Sequence, residues 1–183
     1  MNQIFKDNKT KFVAAAVVLA ALSRVLPHPY NFTPIGAIAL FGGTFLKNKK
    51  MAFIIPIAVL LFTDLLLQMI NPGYAFYKGW IWVYGTFALI IPLGFYLRKK
   101  VNIQNIAIAS LAGSVIFFIV TNFGMWVASG FYPLTTAGLI DCYMKAIPFF
   151  GGTLMGDLFY NAILFGVYAI AKWRFPLVLK EAN

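Results

Sequence analysis

Among the polar side chains within the apolar stretches of this 183-residue chain, Arg24, Asp64, Asn122 and Asp157 stand out. An ionised group in hydrocarbon costs roughly 2.5–3.5 kcal/mol on insertion scales, so such residues face a cavity or one another. Arg24 and Asp64 have opposite charges and can form an ion pair. Asn122 brings an amide that either binds a ligand or joins two helices. Asp64 and Asp157 are two carboxylates, the minimum for an intramembrane acid–base dyad. The surrounding sequence matches that chemistry poorly, and the chain reads as a non-enzyme. His28 is the only histidine and Cys142 the only thiol, so no intrachain disulfide forms and a cysteine-based zinc site is not expected.

These groups are embedded in a chain that is 61% hydrophobic and 11% charged. A soluble domain of this length would leave too much of that surface facing water, whereas lipid removes the difficulty. The net charge of +10 does not indicate nucleic acid, because the basic residues fall in short clusters between apolar runs. The basic start followed by an apolar run loosely resembles a signal peptide. No small-residue cleavage site precedes a soluble domain, and five more apolar segments follow.

The apolar runs cover 12–26, 34–46, 51–70, 79–97, 106–128 and 149–171, with a short helix expected over 136–147 in the last connector. Spanning ~30 Å of hydrocarbon takes about 20 helical residues. The second run is too short to span lipid alone and is expected to pack among other helices, with part of the preceding loop tucked into protein. The fold class is therefore an all-α integral membrane protein: six transmembrane helices in one domain over 1–183. With both chain ends in the cytoplasm, twelve Lys and Arg fall inside, Lys6 and Lys180 among them. Only Arg24, Lys78 and Lys145 fall outside. That partition follows the positive-inside rule.

This orientation puts Arg24, Asp64, Asn122 and Asp157 all in the outer half of the membrane. A polar pocket open to the outside satisfies them together and fits capture of an external solute. A pore should carry polar groups through the full thickness. The external connectors add aromatic and polar side chains, among them His28, Asn31, Tyr132 and Tyr143. Such a surface suits a ligand with flat apolar faces and amide or hydroxyl edges. The candidate substrate-binding residues are Arg24, His28, Asn31, Asp64, Tyr84, Asn122, Trp126, Tyr132, Tyr143 and Asp157. Arg24 and Asp64 form a polar floor with Asn122 as a hydrogen-bonding group, Trp126, Tyr132 and Tyr143 form apolar walls, and Asp157 closes the far side. Ala16 and Ala20 in the first run, and Gly152 and Gly156 in the last, are small-xxx-small pairs that admit close approach. The competing reading is a structural membrane protein without a ligand, its outer aromatics forming an interfacial belt.

Residues 23–34 (Ser-Arg-Val-Leu-Pro-His-Pro-Tyr-Asn-Phe-Thr-Pro) and 36–43 carry a family resemblance. So do Thr121-Asn122-Phe123 with Trp126, Gly138-Leu139 with Cys142-Tyr143, and residues 147–150. Together they resemble an uncharacterised bacterial membrane-protein family that looks related to the S-components of energy-coupling-factor (ECF) vitamin transporters. The likeness is nearest to the solitary cobalamin S-component of the BtuM type. The resemblance implies a six-helix bundle in the bacterial inner membrane and an outward-opening vitamin pocket. It also implies that Ala16 and Ala20 dock on the transmembrane coupling subunit of an ATPase module. Cobalamin or a related corrinoid is the implied transported ligand, another small vitamin or precursor the alternative, and no cofactor of the protein's own is implied. Cobalamin members can carry a cobalt-binding cysteine near the third-to-fourth helix connector, and this chain has none between Asn71 and Trp82. That leaves His28 or Cys142 as cobalt ligand, or binding without protein ligation. The chain has no Gly-x-x-x-x-Gly-Lys-Ser/Thr run for ATP, so energy is expected from partner subunits, or transport is passive.

Overall fold

The short second run folds as the centre of the bundle. In the computed structural model, which describes residues 8–176, α2 (Ile35–Phe45) is buried over most of its length. A helix apolar on all sides has no face for water and is stable only when surrounded. It touches each of the other five helices: α1 (Asn8–Leu22), α3 (Lys49–Ile70), α4 (Trp80–Leu97), α5 (Ile103–Ala128) and α6 (Thr136–Arg174). Its tightest partner is α4, where the backbones meet at glycines. A Cβ on Gly43 would strike the Ile91 carbonyl, and one on Gly94 would lie 2.8 Å from the Gly43 Cα.

Among the described residues four helices, α3 to α6, are long and apolar enough to cross a membrane. Large apolar side chains such as Leu19, Met69, Ile103 and Ile170 face outward, as in a protein whose solvent is lipid. The chain is a multi-helical, membrane-embedded protein with an all-α, six-helix architecture. At their starts, α3, α5 and α6 are capped by Asn48, Asn102 and Thr135, whose side chains accept backbone N–H groups. Lys6 and Lys180, part of the charge partition, lie outside the described residues.

One expectation is corrected. The connector helix over 136–147 and the last apolar run are not separate, because α6 is continuous through Pro148 for 39 residues. Proline costs one backbone hydrogen bond and favours a bend, but neighbouring helices in a membrane bundle hold such a helix together. At 1.5 Å per residue α6 is about 58 Å long, well beyond the hydrocarbon thickness.

At about 16 Å, α2 ends inside the protein at both termini, where orphan N–H and C=O groups need partners. At its start the Asp157 carboxylate sits against Gly36, where any Cβ would collide with it. Asp157 accepts from the Ser114 hydroxyl at 2.6 Å, and the Ala37 backbone N–H is a further donor. At the other end Arg98 donates from Nε to the Gly43 carbonyl (2.8 Å) and from Nη2 to Leu46 (2.6 Å). Anion at the N-terminus and cation at the C-terminus is the arrangement the helix dipole favours.

The loop 26–34 reaches α2 across the surface of α6. Gly156 lies against the backbone of Phe32 and Thr33, and Gly152 so closely under the Tyr30 carbonyl that any Cβ there would collide with it. The small-xxx-small pair of α6 therefore admits a loop, not another helix. Asn31 takes a left-handed φ of 59° to make the turn, a conformation asparagine tolerates better than most residues. Phe32 then packs on Phe159 and Tyr160 at 5.4 and 5.8 Å.

Two outcomes test this arrangement. Arg98→Ala leaves buried carbonyls unpaired and should lower stability by about 2–4 kcal/mol. Thermal unfolding in detergent should show it, with Arg98→Lys recovering only part, because a lysine cannot fork between two acceptors. In a Cys142→Ser background, Tyr132→Cys should react with an impermeant maleimide on intact cells and Lys99→Cys only after permeabilisation. The reverse pattern would invert the expected orientation.

Candidate functional site

The end of the bundle away from the Lys47–Lys50 and Arg98–Lys100 clusters contains an open cavity in two compartments. The larger, about 620 Å³, is bordered by Arg24, His28, Asn31, Asp64, Tyr84 and Trp80, among others. The smaller, about 340 Å³, is bordered by Asn122, Tyr132, Cys142 and Lys145 among others. Asn31, Tyr77 and Phe117 line both, so the compartments adjoin along those three side chains.

The floor of the larger compartment is a closed polar cluster. Arg24 lies in the short 3-10 turn 23–25 that ends α1. From there Nη2 meets Asp64 Oδ1 of α3 at 2.7 Å, with both side chains under a tenth exposed. Nη1 donates to Thr63 Oγ1 at 2.8 Å. Thr63 stays on its helix by donating back to the Val59 and Leu60 carbonyls. The second carboxylate oxygen accepts from the Tyr84 hydroxyl of α4 at 2.8 Å. Charge cancels within the cluster, where Arg24 is held by Asp64 and Thr63, and Asp64 by Arg24 and Tyr84. Removing one partner from such a buried pair costs about 3–5 kcal/mol, because the remaining charge is stranded.

The walls are aromatic. Trp80 and Tyr84 meet edge to face at 5.2 Å, and Phe76, outside the lining, meets Trp80 edge to face at 5.6 Å. Desolvation first, then the Asp64 carboxylate and Tyr74, push the Tyr77 phenol above its ordinary value, so it remains a neutral hydrogen-bonding group. The 71–79 connector is tied back by its Ala75 N–H donating to Gln68 Oε1 at 3.2 Å. His28 is half-buried, with Nδ1 3.0 Å from the Pro29 carbonyl. If Nδ1 carries the proton, Nε2 has the free lone pair.

Of the sequence candidates, the larger compartment therefore gathers Arg24, His28, Asn31, Asp64 and Tyr84, and the smaller gathers Asn31, Asn122 and Tyr132 with Cys142. Asn122 donates its amide to the Phe118 carbonyl one turn back at 2.7 Å, and Cys142 is buried with Sγ 3.4 Å from the Asn122 carbonyl. Three candidates line neither compartment. Trp126 donates to the Pro133 carbonyl at 2.9 Å and Tyr143 to the Ile119 carbonyl at 2.6 Å, so both tie α5 to the segment 133–143. Asp157 is spent at the head of α2. Among the described residues no group of three or more His, Cys, Asp or Glu side chains could hold a metal ion.

The cavity also includes Phe117 and Tyr77, which the sequence alone does not single out. Tyr77 stands in an aromatic connector and could have been chosen on that ground. Phe117 is one phenylalanine among nineteen, and only the rotation of α5 distinguishes it. Ala16 and Ala20 lie on another surface, an apolar groove of about 380 Å³ between α1 and α6 that includes Leu19, Ile163 and Val167.

No curated protein and no solved structure matches the chain. A family profile covers residues 5–178, nearly the whole of it, and the chain belongs to that family, the family of unknown function DUF6580.

Proposed function

We propose that this protein captures a small external solute in the two-compartment cavity and serves its uptake, as the substrate-binding subunit of a transport system in the bacterial inner membrane. The observation that carries this reading is the cavity floor. Burying Arg24, Asp64 and Tyr84 as one cluster is costly in a membrane, and such groups in a membrane helix ordinarily mark a substrate path. Both compartments fall in the size range of small-molecule sites.

The lining indicates the kind of ligand. Arg24 is neutralised by Asp64, and Lys145 pairs with Asp141 at 2.7 Å. A ligand therefore meets little net charge, many aromatic faces, and the amides and hydroxyls of Asn31, Asn122, Tyr77 and Tyr84. That favours a neutral, flat molecule with amide or hydroxyl edges, which describes several vitamins. Cobalamin or another corrinoid is the first ligand to test, on the family resemblance. It is larger than either compartment and would have to occupy both, with His28 available on one side and Cys142 on the other. The apolar groove that holds Ala16 and Ala20 is the proposed contact for the coupling subunit of an ATPase module. Asp64 and Asp157 belong to separate hydrogen-bond networks, which disfavours a shared acid–base role.

The test is titration of the purified protein in detergent, followed by absorbance and calorimetry. The ligands are cobalamin, its dicyano form lacking the nucleotide loop, and a panel of smaller vitamins. Saturable binding near one to one is expected for at least one of them. Tyr84→Phe removes one hydroxyl and should weaken it about fivefold, whereas Trp126→Phe, outside the cavity, should leave it unchanged. A shifted corrin spectrum abolished by His28→Ala or by Cys142→Ser would identify the cobalt ligand. Failure of every ligand to bind would remove the carrier reading.

A further inference from the structure

A second polar cluster lies in the seam between α5 and α6. Asp157 and Asn161 stand one turn apart on one face of α6, and Ser110 and Ser114 one turn apart on one face of α5. The two faces meet. Ser114 donates to Asp157 Oδ2 at 2.6 Å, and Asn161 Nδ2 donates to Ser110 Oγ at 2.8 Å. All four residues are buried, none more than 3% exposed. Thr153, one turn before Asp157, lines the smaller compartment of the cavity, as does Phe117, one turn beyond Ser114. The cluster therefore lies directly below that compartment.

Donors run short in this seam. Ser110 gives its proton to the Ile106 carbonyl at 2.8 Å, so it can only accept from Asn161. That fixes the amide with Nδ2 toward Ser110 and Oδ1 on its other side. Asn161 Oδ1 is buried and has no hydrogen-bond partner among the described residues. An acceptor left in that state costs about 1–3 kcal/mol, and in a folded protein it marks the place of a water or an ion. Ser114 has also given up its proton and keeps lone pairs.

Charge is unbalanced in the same place. Asp157 takes part in neither the Arg24–Asp64 nor the Lys145–Asp141 pair. Its partners are the Ser114 hydroxyl and the Ala37 backbone N–H. The start of α2 offers the equivalent of about half a positive charge, which leaves a net negative charge deep in the bundle. A water molecule would supply donors and leave that charge as it is. A cation answers both shortages. One carboxylate among neutral oxygens matches a single positive charge, and oxygen ligands suit a hard ion. The described residues hold no cluster of His, Cys, Asp and Glu for a transition metal.

We propose that the α5–α6 seam binds a monovalent cation of sodium size, held by the Asp157 carboxylate, the Ser110 and Ser114 hydroxyl oxygens and Asn161 Oδ1, and reached from the smaller compartment. The site stands whether or not the cavity above it takes a solute.

The experiment is thermal unfolding of the purified protein in nonionic detergent, without any solute, at constant ionic strength in choline chloride. Sodium chloride or potassium chloride replaces the choline salt stepwise. Sodium should stabilise saturably, as a ligand of the folded state does, and potassium much less. Asp157→Asn keeps the shape of the side chain and should abolish the response. Ser110→Ala and Asn161→Ala each remove one oxygen and should raise the half-saturating sodium concentration roughly tenfold. Thr86→Ala removes a buried hydroxyl that bonds only its own helix, at the Trp82 carbonyl, and should keep the full response even where it lowers the starting stability. Equal effects of sodium, potassium and choline would overturn the site, as would a full sodium response in Asp157→Asn. Stabilisation by acid with no response to sodium would overturn the cation and assign the missing charge to a proton.

Discussion

The structure depends on a helix too short for its surroundings. α2 is buried among five others, and neither of its ends reaches water in the way a spanning helix would. Its unpaired backbone groups must be satisfied by side chains, or the bundle does not close. Asp157 at one end and Arg98 at the other do this with the polarity the dipole favours. Both come from distant segments, so the two caps also hold α6 and α4 in register with α2. The glycine contact between Gly43 and Gly94 brings the α2 and α4 backbones together, where any larger residue would push Arg98 away from its acceptors.

The same shortness creates the cavity. A full-length helix in the place of α2 would fill the bundle to its aromatic end. Instead the space beyond Ile35 is shared between the loop 26–34 and an open volume, and Asn31, Thr33 and Ile35 border that volume. The loop is tied down on its other side, where Gly152 and Gly156 admit its backbone and Phe32 anchors it between aromatic rings. Side chains on the loop, His28 and Asn31 among them, are therefore presented by a supported segment.

Much of this was legible in sequence because depth in a membrane is a one-dimensional quantity. The length of the 34–46 run foretold a buried helix and a tucked loop. The positions of Arg24 and Asp64 along their runs foretold a pair at similar depth. What sequence withheld was rotation about each helix axis. Asp157 has a depth compatible with the cavity but faces α2 and Ser114. Trp126 and Tyr143 stand near the cavity end yet turn to backbone carbonyls of neighbouring segments. Arg98 read as one more topology charge, because nothing in its neighbourhood along the chain shows that the carbonyl end of α2 lies opposite it. Pro148 misled in another way. As a helix breaker it suggested a boundary, but in a packed bundle the lost hydrogen bond is tolerated and α6 runs through.

Two intramembrane carboxylates of the same type thus have different fates, and the difference follows from their neighbours. Asp157 meets backbone and hydroxyl donors at a helix start and lines neither compartment. Asp64 meets Arg24 and Tyr84 at the edge of an open volume, where their remaining capacity faces the space a ligand would fill. A ligand that carried its own charge would have to break the Arg24–Asp64 pair to gain from it, leaving the partner stranded at a cost of several kcal/mol. A neutral ligand that adds hydrogen bonds to the intact cluster incurs no such cost. The pairing that keeps these charges tolerable in a membrane is therefore also the feature that sets the charge of what the cavity can hold.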